Sequence, residues 1–164
     1  MIEHLVPRIL AKLLIPFILL FGLYVQFHGD FGPGGGFQAG VIFAAGIILY
    51  ALIYGLDRAR RVITPGLVAF LVALGLLIYA GVGVATLLLG AEFLNYGALD
   101  SHDPVHGQHL GILIIEFGVG TTVAAVMITI FYQFAGRLQI TRELESDETD
   151  DEDGEEEEMT GSPQ

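Results

Sequence analysis

The chain has 164 residues, 53% of them apolar and only 16% charged, with a formal net charge of −12. A soluble domain of this length would need a wetter surface. With no cysteine, a disulfide framework and a thiolate metal site are both excluded. Four uninterrupted apolar runs, about 9–27, 37–56, 66–91 and 110–135, are each long enough to cross a hydrocarbon core of roughly 30 Å at about 1.5 Å per residue. Backbone polar groups in lipid must be satisfied internally, so runs of this length are helices and not strands. The expected fold is an all-α membrane protein with four transmembrane helices in residues 1–138, followed by an acidic cytoplasmic tail over 139–164.

The first span is too long for a signal-peptide core, and no small-x-small cleavage site follows it, so it is expected to stay as a helix. Lys12 lies one turn inside it. The bland reading lets its stem carry the ammonium back to the interface; the sharper one gives it a carboxylate partner on another helix or subunit. Pro16 removes a backbone donor further along.

The segment "HGDFGPGGGFQAG", residues 28–40, sits between the first two spans. Its glycines match neither phosphate-loop spacing, and no strand precedes them, so a nucleotide is not expected. Pro33, Gly34, Gly35 and Gly36 allow a tight reversal. Gly36, Gly40 and Ala44 then draw a small-residue stripe along the second span, which reads as a packing face open to another protein's backbone. His28 and Asp30 stand at the mouth of this turn.

Between the second and third spans, "GLDRARRVITP" carries Arg58, Arg60 and Arg61. The other basic residues are Arg8, Lys12, Arg137 and Arg142, and the loops 28–36 and 92–109 hold none. Basic short loops stay cytoplasmic. Both termini and the middle loop are therefore expected inside, with the glycine loop and the histidine loop outside.

The loop before the fourth span holds His102, His106 and His109. Pro104 and Gly107 argue against a regular helix through them, so no metal site is expected and they read as exposed loop histidines. A haem between His28 and His109 is disfavoured because helix tops are a poor place to bury one. In the fourth span, Glu116 is expected about two turns in from the outer end. A carboxyl in a membrane helix is costly and commonly marks an ion path or proton relay; the alternative is a structural hydrogen bond to a neighbouring helix. Gly111, Gly118 and Gly120 strip bulk from the helix around it.

Residues 143–164 contain twelve of the nineteen acids and no base. With little to bury and strong self-repulsion, this tail is expected to be disordered, most simply a solubilising extension.

The segment "HGDFGPGGGFQAGVIFAAG" resembles the signature of the MnhB family, small membrane components of the Mrp-type multisubunit sodium/proton antiporters. The Asp57-arginine turn and the run Glu116-Phe117-Gly118-Val119 fit the same pattern. The family often carries Asp where this chain has Glu116, and a second glycine where it has Ala39. The likeness covers roughly residues 5–138 and leaves out the tail. It implies a non-enzymatic subunit of a hetero-oligomeric complex in a prokaryotic cell membrane, exchanging cytoplasmic Na+ for external H+. Its partners would be other antiporter subunits and lipid, with no nucleic acid and no cofactor beyond the transported ions. On that reading Glu116, His28, Asp30 and Lys12 are the ion-path candidates. Pro33, Gly34, Gly35, Gly36, Gly40, Ala44 and Gly118 serve helix packing and docking. The alternative is a self-sufficient homodimeric exporter built around one membrane-embedded Glu.

Overall fold

A computed structural model describes residues 5–29, 34–100 and 102–160. Among them there is no strand. Helix α1 spans Leu5–His28, α2 Gly36–Tyr54, α3 Leu56–Val62, α4 Pro65–Leu88 and α5 Pro104–Thr160, with a short 3-10 turn at Tyr96–Leu99. Val6–His28, Gly36–Tyr54, Pro65–Leu88 and Pro104–Thr141 are each long and apolar enough to cross a membrane. The short α3 is amphipathic: Leu56 and Ala59 are buried, while Asp57, Arg58 and Arg61 are exposed.

Local chemistry sets the helix ends. Gly55, at φ 96°, ends α2 in a conformation that side-chain-bearing residues resist. Thr64 caps α4, its Oγ1 accepting from the Leu67 amide at 3.3 Å, and Pro65 takes the first helical position, where no amide is needed.

Helix α5 begins six residues earlier than the apolar run suggests, and it includes His106 and His109. The sequence reading treated Pro104 and Gly107 as breakers; here Pro104 starts the helix instead. Asp103 Oδ1 accepts from the amides of Val105 and His106 at 3.0 and 3.3 Å, which is N-cap geometry. Gly107 is needed for a close approach, since a Cβ there would lie 2.7 Å from the Tyr96 carbonyl.

The chain forms two compact units, Met1–Ile130 and Phe131–Gln164. Within the second unit the backbone is helical through Thr160, where sequence reasoning expects a disordered acidic tail over 139–164. Glutamate is a strong helix former, and extending an existing helix avoids the cost of a new nucleus.

In the first unit the helices meet through small residues. Gly22 and Gly46 bring α1 and α2 together: a Cβ on Gly22 would touch Ile42 and Phe43, and one on Gly46 would touch Leu19. Gly40 of α2 faces the Gly120 carbonyl and Val123 of α5, and Gly75 of α4 faces Gly118 and Thr122 of α5. Helix α5 is thus the shared neighbour of α2 and α4. The buried core is mostly small, including Ala39, Ala44, Ala51 and Ala125, while Phe17, Phe70, Leu77 and many other large apolar side chains face outward. Lipid offers those side chains as good a home as the interior does, so close backbone packing decides what goes inside.

The stripe on α2 was expected to receive a foreign backbone. Gly36, Gly40 and Ala44 are instead buried within this chain, as is Gly118 on α5. Their bareness is spent on α5 packing against α2 and α4.

Candidate functional site

The glycine turn and Glu116, far apart in sequence, meet. A Cβ added to Gly29 would lie 2.5 and 2.6 Å from the two carboxylate oxygens of Glu116, and one on Gly35 would lie 2.9 Å from Oε1. A Cβ on Gly36 would run into the Glu116 backbone carbonyl. The turn between α1 and α2 therefore closes on the half-buried acid, and it can do so only because these positions carry no side chain. Gly35 also needs its own freedom, with φ at 114°. Its amide donates to the Val25 carbonyl at 3.3 Å, which ties the turn back to the last helical turns of α1. Gln38 brings a further oxygen: its Oε1 would be 3.6 Å from a Gly35 Cβ.

Depth follows from helix geometry. Glu116 lies twelve residues beyond Pro104, or roughly 18 Å along α5. Gly29 and Gly36 sit level with it. Sequence reasoning placed Glu116 about two turns from the outer helix end; the earlier start of α5 puts it more than three turns in.

Gln26 is a residue that sequence reasoning passed over. It is only 5% exposed, and its Nε2 has no hydrogen-bond partner among the described residues. Its Oε1 would lie 2.6 Å from a Cβ on Gly120, one turn along α5 from Glu116. Gln26, Phe27 and Phe117 line both of two adjoining cavities, of about 230 and 400 Å³. The available signal is a lone amide two residues before His28, closing the apolar stretch that follows Lys12 in α1.

The other candidates are dispersed. His28 ends α1 with its ring stacked on Tyr24, centroids 5.2 Å apart. Asp30 and Pro33 lie outside the described residues, while Gly34 packs near the Val25 carbonyl. Lys12 is exposed at the opposite end of the bundle. Of the loop histidines, His102 is exposed and His106 pairs through Nδ1 with Asp100 Oδ2 at 3.0 Å. The Asp100 carboxyl is held below its ordinary value by the His102 amide, then by the His106 ring and the Asp103 amide. Among the described residues no three His, Asp or Glu side chains gather as metal ligands would.

This arrangement sets a carboxylate within a membrane-crossing helix against side-chain-free backbone, with the Gln38 amide oxygen close to the same glycine, Gly35.

Known proteins place the chain. Residues 6–129 match a family model described as a domain related to the MnhB subunit of Na+/H+ antiporter. The chain is 32% identical over 133 residues to "Putative antiporter subunit mnhB2" of Staphylococcus haemolyticus (strain JCSC1435), a match covering 80% of this chain and 94% of that protein. A protein of the same name from Staphylococcus aureus (strain Newman) is 30% identical over 133 residues, with the same coverage. The family match ends before the acidic segment. Together with four apolar helices of membrane-crossing length, these likenesses make the chain a multi-pass protein of a prokaryotic plasma membrane. It belongs to the MnhB family of Na+/H+ antiporter subunits.

Proposed function

We propose that this chain is a small, non-enzymatic subunit of a multisubunit antiporter that exchanges cytoplasmic Na+ for external H+. In this reading Glu116 is an ion-binding group beside an interface with partner subunits. The supporting observation is the seat of Glu116: a carboxylate within a membrane-crossing helix, with the bare backbone of Gly29 and Gly35 against its oxygens. A purely structural acid needs one donor. It does not need two side-chain-free positions against its oxygens.

The role requires a carboxylate that alternates between protonated and cation-bound forms. Low local polarity raises the cost of the bare charge and so favours an occupant at all times. Glu116→Gln keeps the shape and removes the titration. In everted vesicles carrying the whole complex, this variant should lower Na+/H+ exchange at least tenfold while leaving the complex intact, and Glu116→Asp should retain part of the rate. Wild-type exchange by Glu116→Gln in an intact complex would reject the assignment.

A further inference from the structure

At the end of the bundle opposite Glu116, a cavity of about 370 Å³ lies between α1 and α2, lined by Lys12, Ile15, Pro16, Tyr50 and Tyr54. We propose that it binds the headgroup of an anionic phospholipid, with the lipid phosphate paired to Lys12.

Three observations converge. The first is level. Tyr54, the last residue of α2, donates its hydroxyl to the Arg8 carbonyl at 3.1 Å, so that hydroxyl lies at the height of Arg8. The basic α3, with Arg58, Arg60 and Arg61, follows immediately. Tyrosines and cations at the end of a span mark the water interface. Lys12 sits one turn deeper than Arg8 on the same face of α1, and its stem reaches back to that height.

The second is charge. Arg8, Lys12 and the three arginines of α3 lie at this end and outnumber Asp57 there, while the carboxylate of Glu116 lies at the other. Lysine is a compact point charge suited to phosphate. A cavity between membrane helices with one cation in its wall fits an anionic headgroup, whose charge already resides at the interface. A partner helix would have to carry a carboxylate into the membrane to give Lys12 the same neutralisation, at a desolvation cost the lipid avoids.

The third is the wall of the cavity, which beyond Lys12 is apolar and aromatic. Ile15 and the Tyr50 and Tyr54 rings, 4.8 Å apart, offer apolar walls to the carbons beneath. Snorkelling alone explains the position of Lys12, but it does not require a cavity between two helices.

The test uses the full chain in detergent, titrated with phosphatidylglycerol, phosphatidylcholine or inorganic phosphate and read by native mass spectrometry. The wild type should retain one phosphatidylglycerol and neither of the other two. Lys12→Met should raise the apparent Kd for phosphatidylglycerol at least tenfold, Lys12→Arg should keep it within about threefold, and Arg61→Gln should leave it unchanged. Ile15→Trp keeps the charge and fills the cavity. It should also weaken binding tenfold, which preserves the test if Lys12→Met does not fold. Undiminished phosphatidylglycerol binding in either Lys12→Met or Ile15→Trp would overturn the proposal. So would equal retention of inorganic phosphate, which would make the site one for a free anion. Cross-linking of Lys12 to a partner carboxylate in the intact complex would also reject it.

Discussion

At Glu116 the cost of one acid in a membrane helix is answered by what its neighbours lack. The strictest of these positions is Gly36, where a methyl group would meet the Glu116 main-chain carbonyl. Backbone cannot rotate out of the way as a side-chain tip can. Gly36→Ala is therefore expected to destabilise the bundle by about 1–3 kcal/mol, the usual range for overpacking. Thermal unfolding in detergent measures it. Gly81→Ala on α4, where a Cβ meets nothing within 4 Å, should leave the midpoint unchanged or raise it. Equal losses for the two would show that backbone approach is not what selects glycine at 36. Gln26 separates stability from function. Its buried Nε2 lacks a partner among the described residues, so Gln26→Leu should cost the fold little or even help it. A drop in exchange rate without a drop in unfolding midpoint would tie the amide to the path past Glu116, whereas a wild-type rate would make it a structural leftover.

The elements show which sequence signals speak plainly and which mislead. Four apolar runs named four spans, because length and hydropathy alone set that requirement in lipid. The start of α5 was misjudged because Pro104 can either break a helix or open one, and the deciding group is the residue before it. Asp103 caps the helix with a single carboxylate oxygen shared by two amides. Asp103→Ala should cost about 1 kcal/mol and fray the first turn, visible as faster amide exchange at Val105 and His106. Unchanged exchange would remove the cap from the account. Asp100 holds the preceding turn. Its folded pKa is depressed, so its contribution is complete above the unfolded value near 3.9 and is lost as pH falls through the lower folded value. The side-chain carboxyl carbon of Asp100, followed by NMR, should thus titrate with a midpoint below the unfolded value. A midpoint at or above it would remove these hydrogen bonds from the account. The stripe on α2 was equally visible in the sequence as a packing face. Nothing in its spacing could say whether the matching backbone belongs to this chain or to another, since a glycine face accepts either.

For the whole molecule, the distribution of basic residues predicts that both termini and α3 face the cytoplasm. The chain lacks cysteine, so single cysteines report this cleanly. An impermeant thiol reagent on intact cells should label His102→Cys, and it should label Arg61→Cys only after permeabilisation; the reverse pattern would invert the topology. Composition and hydropathy by themselves determined that the chain is a helical membrane protein, how many times it crosses, and which segments carry its polar groups. These properties sum over long stretches, and the bilayer imposes them on each stretch separately. The tertiary structure alone decided that Glu116 meets the glycine turn, that Gln26 stands one turn away, and that Lys12 lines a cavity with two tyrosines. Each is a contact between helices. Which faces meet depends on sub-ångström fits of backbone against backbone, and neither hydropathy nor periodicity along a single helix contains that information.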